Sequence, residues 1–331
     1  MRKTIFFFLI TLLTFPTMQN VFCADEIRIS KAVNYLLNQY NDELSLICES
    51  EDQGRHFLND QFPSLNDSLT FQNVFWLYSD NYFAYLALAP YSRCISKKIK
   101  QKLDGFGLKS NLYEVLGGET FDSVRHGNTV YVGNFSSKYV FSMIHNRSVF
   151  SDFDQYADLC LYYALNEFFR SHLSEAERYF WKAYNMFDGK GLRDKAFNET
   201  GYYANYKLAL LLYASKVMGI KMQNRKEIEN LLWSKQKENG GITSLSDQHG
   251  NPIGSANCET TSLTLLVYQP DTTPPNTVDD YDGEWQNVDF IITLTAWVII
   301  LLTLIALVTA ITALWKKRET QNILQGTTRH P

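Results

Sequence analysis

Acids, amides and hydroxyls gather at the openings of otherwise apolar segments in this sequence. Asp80 and Asn81 interrupt FQNVFWLYSDNYFAYLALAPY, and Asn257, Glu259, Thr260 and Thr261 open CETTSLTLL, with Glu49 and Glu51 in an earlier polar loop. Both Asp and Asn disfavour helix interiors and favour helix starts, so a helix is expected to begin near Ser79 and another behind Asn257. Helix starts carry free N–H groups and favour anions. If several such starts meet at one opening, paired carboxylates there could act as the acid and the base or nucleophile of glycoside hydrolysis. The catalytic candidates are then Asp80 and Glu259. The plainer role for Asp80, Asn257 and Glu259 is to cap or charge the first turns of their own helices.

A second polar set joins Asp188, Asp194 and Lys195 to Asn205 and Lys207. Its charges could pin a loop or line the same opening, so Asp194 and Lys207 join Glu49, Asp80, Asn81, Asn257, Glu259 and Thr260 as binding candidates. His56, His126, His145, His172, His249 and His330 show no metal-ligand spacing, and Asp188-Gly-Lys-Gly lacks the alternating oxygens of a calcium loop. No metal and no cofactor are expected. Net charge is −4, with no basic block before residue 316, which argues against nucleic acid as a partner.

The elements that must position these residues read as helices in two classes. IRISKAVNYLLNQY, SRCISKKIKQKL, SEAERYFWKAYNMF and NRKEIENLLWSKQKEN are amphipathic, the third behind a Ser174–Glu177 capping box. The segments around residues 80, 205 and 260 are apolar on nearly every side and require enclosure by protein. Amphipathic helices alternating with apolar ones predict an all-α fold: an α/α toroid over residues 24–268, a closed double ring. TVYVGNF and KYVFSMI add a β-hairpin insertion within 115–150. In such a ring the inner helices share one direction, so their starts meet at one mouth.

The segment LLWSKQKENGGI resembles the helix–Gln–Gly unit of terpenoid cyclase and protein prenyltransferase β-subunit toroids, also seen in thioester domains of the macroglobulin family. YLLNQY…LICES, WLYSDNYFAYLAL, DGKGLRDKAF and ENGGI…ANCETTSLTLL look like segments of uncharacterised single-span surface proteins of archaea, over roughly residues 30–315. The resemblance implies a toroid outside a cell. It does not carry over the catalytic sets, because the DxDD acid, the CGEQ thioester and the prenyltransferase zinc ligands have no counterpart here.

The chain ends agree with export. Arg2 and Lys3 before an apolar run from Ile5 to Phe15 read as a signal peptide over 1–23. QPDTTPPNTVDDYDGEWQNVD reads as a stalk, assigned to 269–289. Residues 290–315 hold no charge, a reach of about 39 Å that would span a bilayer. Lys316-Lys317-Arg318 then put the tail, 316–331, in the cytoplasm. The expected location is a cell membrane, single-pass, with the ectodomain outside. Sequons at Asn66, Asn134, Asn146 and Asn198 fall in the outer part. Cys48, Cys94, Cys160 and Cys258 could form two bridges or stay as buried thiols, and ring closure would let Cys48 meet Cys258. The function expected is recognition of a glycan, peptide or lipid at the mouth. The alternatives are a carbohydrate-active hydrolase or lyase, and a structural cell-envelope protein.

Overall fold

A computed structural model describes residues 25–269. The chain divides into two units, 1–276 and 277–331; the second lies wholly outside the described residues, as do the expected signal peptide, membrane span and tail and all of the stalk but Gln269. The fold is mixed α/β, 48% helical and 20% strand with three sheets among the described residues. That overturns the all-α toroid. The expected membrane location finds no span here: no described helix is long and apolar enough to cross a bilayer.

The order begins with α1 (residues 25–38), a tight pair β1 (Tyr40–Asn41) and β2 (Leu46–Ile47), and the short α2 (Leu58–Gln61). β3 (Val74–Trp76) runs into a π-helical turn, Leu77–Tyr82, which continues as α3 (Phe83–Leu88). After α4 (Arg93–Phe106) come the long strands β4 (Arg125–Phe135) and β5 (Lys138–Val149), then α5 (Ala157–Phe169), α6 (Leu173–Tyr184) and α7 (Lys195–Thr200). β6 (Tyr203–Ala204), α8 (Tyr206–Val217), α9 (Arg225–Trp233), β7 (Ile242–Ser246), β8 (Pro252–Asn257) and α10 (Cys258–Tyr268) complete it.

Helices α3, α5, α8 and α10 are the apolar ones, and they form the centre: α10 packs against α3 and α8, and α5 against α8. Each amphipathic helix lays one stripe on a central one. α6 buries Ala176, Phe180 and Ala183 against α5, and α9 buries Ile228 and Leu232 against α8. These spacings of three and four residues place the apolar side chains on one helical face.

The sheets are where the sequence reading fails. β5 pairs antiparallel with β4 and parallel with β3, so the ribbon within 115–150 belongs to a three-stranded sheet and is no appendage. Val74-Phe75-Trp76, all buried, supply a continuous apolar strand, a run too short for its periodicity to distinguish strand from helix. β7 is flanked by β6 and β8. β7 and β8 occupy a polar stretch in which the all-α reading places no strand, and β8 delivers the chain directly into α10. Ser174 lies inside α6, whose cap position is His172, so the expected capping box is not formed.

Gly240 turns the chain into β7 with φ of +95°, and a Cβ there would overlap the carbonyl oxygen of Lys31 on α1. Gly219 has φ of +68° but open space around it. Both positions favour glycine. Gly219→Ala is expected to cost about 1 kcal/mol and Gly240→Ala at least ~2 kcal/mol more, because a backbone atom must also move. Urea unfolding of the two variants checks this; equal losses would show that α1 does not press on this turn.

Candidate acid–base site

Glu49 leaves β2 in a loop clamped between two elements of the site. Its N–H donates to the Val74 carbonyl at 2.9 Å, and its own carbonyl accepts the N–H of Cys258, the first residue of α10, at 2.9 Å. The chain entering β3 and the start of α10 are thus joined through one residue. The Glu49 side chain is fixed as firmly. Its Oε2 accepts from Trp76 Nε1–H at 2.7 Å and lies 2.9 Å from His56 Nε2. Because His56 Nδ1 accepts the Leu58 N–H at 3.1 Å, the ring proton sits on Nε2 and donates to Glu49. His56 is fully buried between Phe57 and Phe71. One carboxylate oxygen is tethered by two donors, and the other has no partner among the described residues.

The start of α10 brings Glu259. Asn257 Oδ1 accepts the Thr260 N–H at 3.0 Å, a side-chain cap. Thr261 is occupied by its own turn, its Oγ1 donating to the Asn257 carbonyl and accepting from Ile242 N–H. Glu259 differs from both. It is half-buried and its carboxyl has no hydrogen-bond partner or ion pair among the described residues. Burial, then the charges of Glu49 and Asp158, push it up to about 8 against the pull of Lys207. A carboxylic acid here keeps its proton at neutral pH.

Asp80 lies in the π-helical turn, a rare geometry that concentrates at functional sites. Its side chain is buried with Oδ2 unpartnered, and burial followed by Glu49 and Glu259 raises its pKa well above the carboxylate range. The expected helix start at Ser79 is instead this turn, and Asp80 caps nothing. Asn81, by contrast, is a structural clamp: Oδ1 accepts from Ile47 N–H at 2.7 Å, and Nδ2 donates to the carbonyls of Ile47 and Trp76.

The far side is built from α5 and α8. Lys207, 3% exposed, reaches Asp158 at 3.1 Å and Asp194 at 2.6 Å. Burial works against the Lys207 charge, but the two carboxylates outweigh it and raise its pKa. Burial likewise opposes ionisation of Asp158, yet Lys207 and the Tyr206 hydroxyl, 2.6 Å away, hold it below the ordinary range. Asp194 is a staple: Oδ1 caps α7 through Phe197 N–H, while Oδ2 accepts from Ala157 N–H as well as from Lys207. The loop-holding role therefore describes Asp194, and Lys207 divides its charge between loop and site.

Above this floor lie Tyr113 and Tyr162, edge to face at 5.5 Å. The Tyr162 hydroxyl is buried without a partner. Its neighbouring charges are Glu259 and Asp158, and those of Tyr113 are Glu259, Asp158, Asp80 and Glu114. The starts of α5, α8 and α10, the turn before α3 and the Glu49 loop thus converge on one partly exposed surface.

Of the residues singled out from sequence, Glu49, Asp80, Lys207 and Glu259 are brought together here, with Asn257 and Thr260 directly behind them. Glu51 turns away to Asn239, and the Asp188 carboxylate serves its own loop and Tyr203. Sequence reasoning missed Asp158, Tyr206, Tyr113, Tyr162, His56 and Trp76. Asp158 had a usable signal, an acid in the first turn of an apolar helix, the same pattern that marks Glu259.

Cys48 and Cys258 are both free and buried, so the expected bridge between them is not formed; Cys94 and Cys160 are free too. Asn66, Asn134, Asn146 and Asn198 are all exposed. No group of His, Cys, Asp and Glu among the described residues is arranged to hold a metal ion. No protein-family model, no curated protein and no solved structure matches this chain.

Proposed function

We propose that this surface is the active site of an acid–base enzyme that hydrolyses a glycan, with Glu259 as general acid and Glu49 as general base. The observation that carries the reading is the contrast between these two carboxyl groups. Glu259 is half-buried, unpartnered and protonated up to about pH 8, while Glu49 is tethered through one oxygen by His56 and Trp76. A carboxyl group that holds its proton, set beside a second carboxyl group, is the usual division of labour in glycoside hydrolysis.

The Glu259 proton passes to the glycosidic oxygen as the bond to the anomeric carbon breaks. Glu49 takes a proton from the water whose oxygen attacks that carbon, so one water is consumed per bond cleaved. The partly exposed Tyr113 offers a ring edge for the sugar, and Asp158, neutralised by Lys207, supports the charge that develops.

The test is a cleavage screen of oligosaccharides by the full chain, followed by the pH profile of kcat/KM on whichever is cut. Because the acid must be protonated, activity is expected to fall as pH rises through about 8. Binding of a glycan without cleavage would leave a recognition module, and an alkaline limb unaffected by Glu259→Gln would remove Glu259 from the acid role.

A further inference from the structure

The His56 ring that tethers Glu49 carries two phenylalanines. Phe57 stacks on it at 4.3 Å between ring centroids, tilted by 31°, and Phe71 lies at 4.6 Å. His56 itself is fully buried, yet Phe57 leaves 52% of its surface to water and Phe71 is half-buried. The imidazole Nε2 lies 2.9 Å from Glu49 Oε2, so the centre of the Phe57 ring is within about 8 Å of that carboxylate. Glu49 also reaches solvent: 12% of its side chain is exposed, and its second oxygen is unpartnered without being buried. An open aromatic face and an open carboxylate oxygen therefore lie within reach of one short oligosaccharide.

The backbone that carries Phe57 is fixed on both sides. The His56 N–H donates to the Leu69 carbonyl at 2.9 Å, and Leu58 is buried with Leu69, Val74, Trp76 and Phe141. Asn59 closes the same loop, its Nδ2 donating to the carbonyls of His56 and Leu69 and its Oδ1 accepting the Leu69 N–H. A rigid backbone thus holds a large apolar ring in water, at a cost that covering the ring would recover. Such a ring has no hydrogen-bonding group of its own, so it suits the C–H face of an uncharged sugar.

We infer that Phe57 is a platform for the sugar next to the one cleaved, so that the substrate is an extended uncharged glycan rather than a disaccharide. This rests on the acid–base reading for the cleavage; the platform itself rests on the exposed ring and its distance from Glu49. A longer chain covers both Phe57 and the acid pair, whereas a dimer held at the acids leaves the ring bare. Phe57 touches substrate away from the bond that breaks. It therefore contributes equally before and in the transition state, and its loss appears in KM rather than in kcat.

The test titrates β-1,4-linked hexamers and dimers of glucose and of N-acetylglucosamine calorimetrically into the full chain. In one of the two series the hexamer is expected to bind at least about tenfold more tightly than the dimer. Phe57→Ala should weaken the hexamer by about three- to tenfold, the usual worth of one aromatic contact, and leave the dimer within about twofold. Phe57→Tyr should keep the hexamer affinity. Phe57→Leu retains an apolar cover over His56, should lose affinity as alanine does, and covers a failure of the first variant to fold. Hexamer affinity unchanged without the ring, an equal loss for dimer and hexamer, or no binding in either series overturns the inference. Cleavage is scored separately. Glu259-dependent cutting with hexamer affinity indifferent to Phe57 would sink this inference and keep the hydrolase, whereas Phe57-dependent binding without cutting would do the reverse.

Discussion

Glu259→Gln is expected to abolish turnover and to make the protein more stable. The loss of the transferable proton should lower kcat by about 10²–10⁴-fold, the usual contribution of a positioned general acid. The stability gain follows from linkage. Glu259 has its pKa raised from 4.5 in the unfolded reference to about 8 in the folded protein, so the folded state holds the extra proton between those values. Stability from this group is fully present below about pH 4.5 and is lost as pH rises through about 8. Glutamine keeps the shape without ionising, so the variant should outlast the parent by a few kcal/mol above pH 8 and match it near pH 4. Chemical denaturation at the two pH values measures this. A variant that is inactive but no more stable at high pH would mean that the carboxyl is not held in an environment hostile to its charge.

Lys207→Met is expected to have the largest effect on folding. The side chain links α8 to the first turn of α5 through Asp158, and to the cap of α7 through Asp194. Removing it strands two buried carboxylates, and breaking a buried pair in this way costs about 3–5 kcal/mol. The cost should shrink as pH falls, because Asp158, now without its cation, takes up a proton more readily. Lys207→Met paired with Asp194→Asn should recover part of the loss, whereas Asp194→Asn alone should not be neutral, since its oxygens also hold the starts of α5 and α7. Thermal melts of the single and double variants decide it; a Lys207→Met protein as stable as the parent would show that the three charges are not coupled.

The two expectations separate what could be read along the chain from what could not. The cap at Asn257 and the acid two residues later are local, and local hydrogen bonding makes such starts legible. The apolar helices were legible too, because a segment such as YKLALLLYASKV with no polar face must be enclosed. The third sheet was not. ITSLS and PIGSAN have too few apolar residues to announce strands, and they are held by pairing partners about ten residues apart with a bulge between them.

The support of Glu49 was out of reach for a different reason. His56 and Trp76 lie 7 and 27 residues away and meet the carboxylate only because the chain folds back through β3. His56 also shows what a search for metal spacing overlooks: a histidine with one nitrogen on a backbone N–H and the other on a carboxylate is a positioning group. Asp80 was selected for the wrong property. Its place in the sequence suggested a cap, yet its importance lies in being buried, with one carboxyl oxygen unpartnered, and beside two other acids.

The pairing of a protonated Glu259 with a tethered Glu49 is most directly tested by titrating the carboxyl carbons of ¹³C-glutamate-labelled protein by NMR. One resonance should titrate near 8 and be absent from Glu259→Gln. If every glutamate carboxyl has finished titrating by about pH 5.5, close to the ordinary carboxylate range, Glu259 is ionised at neutral pH and the division into acid and base fails.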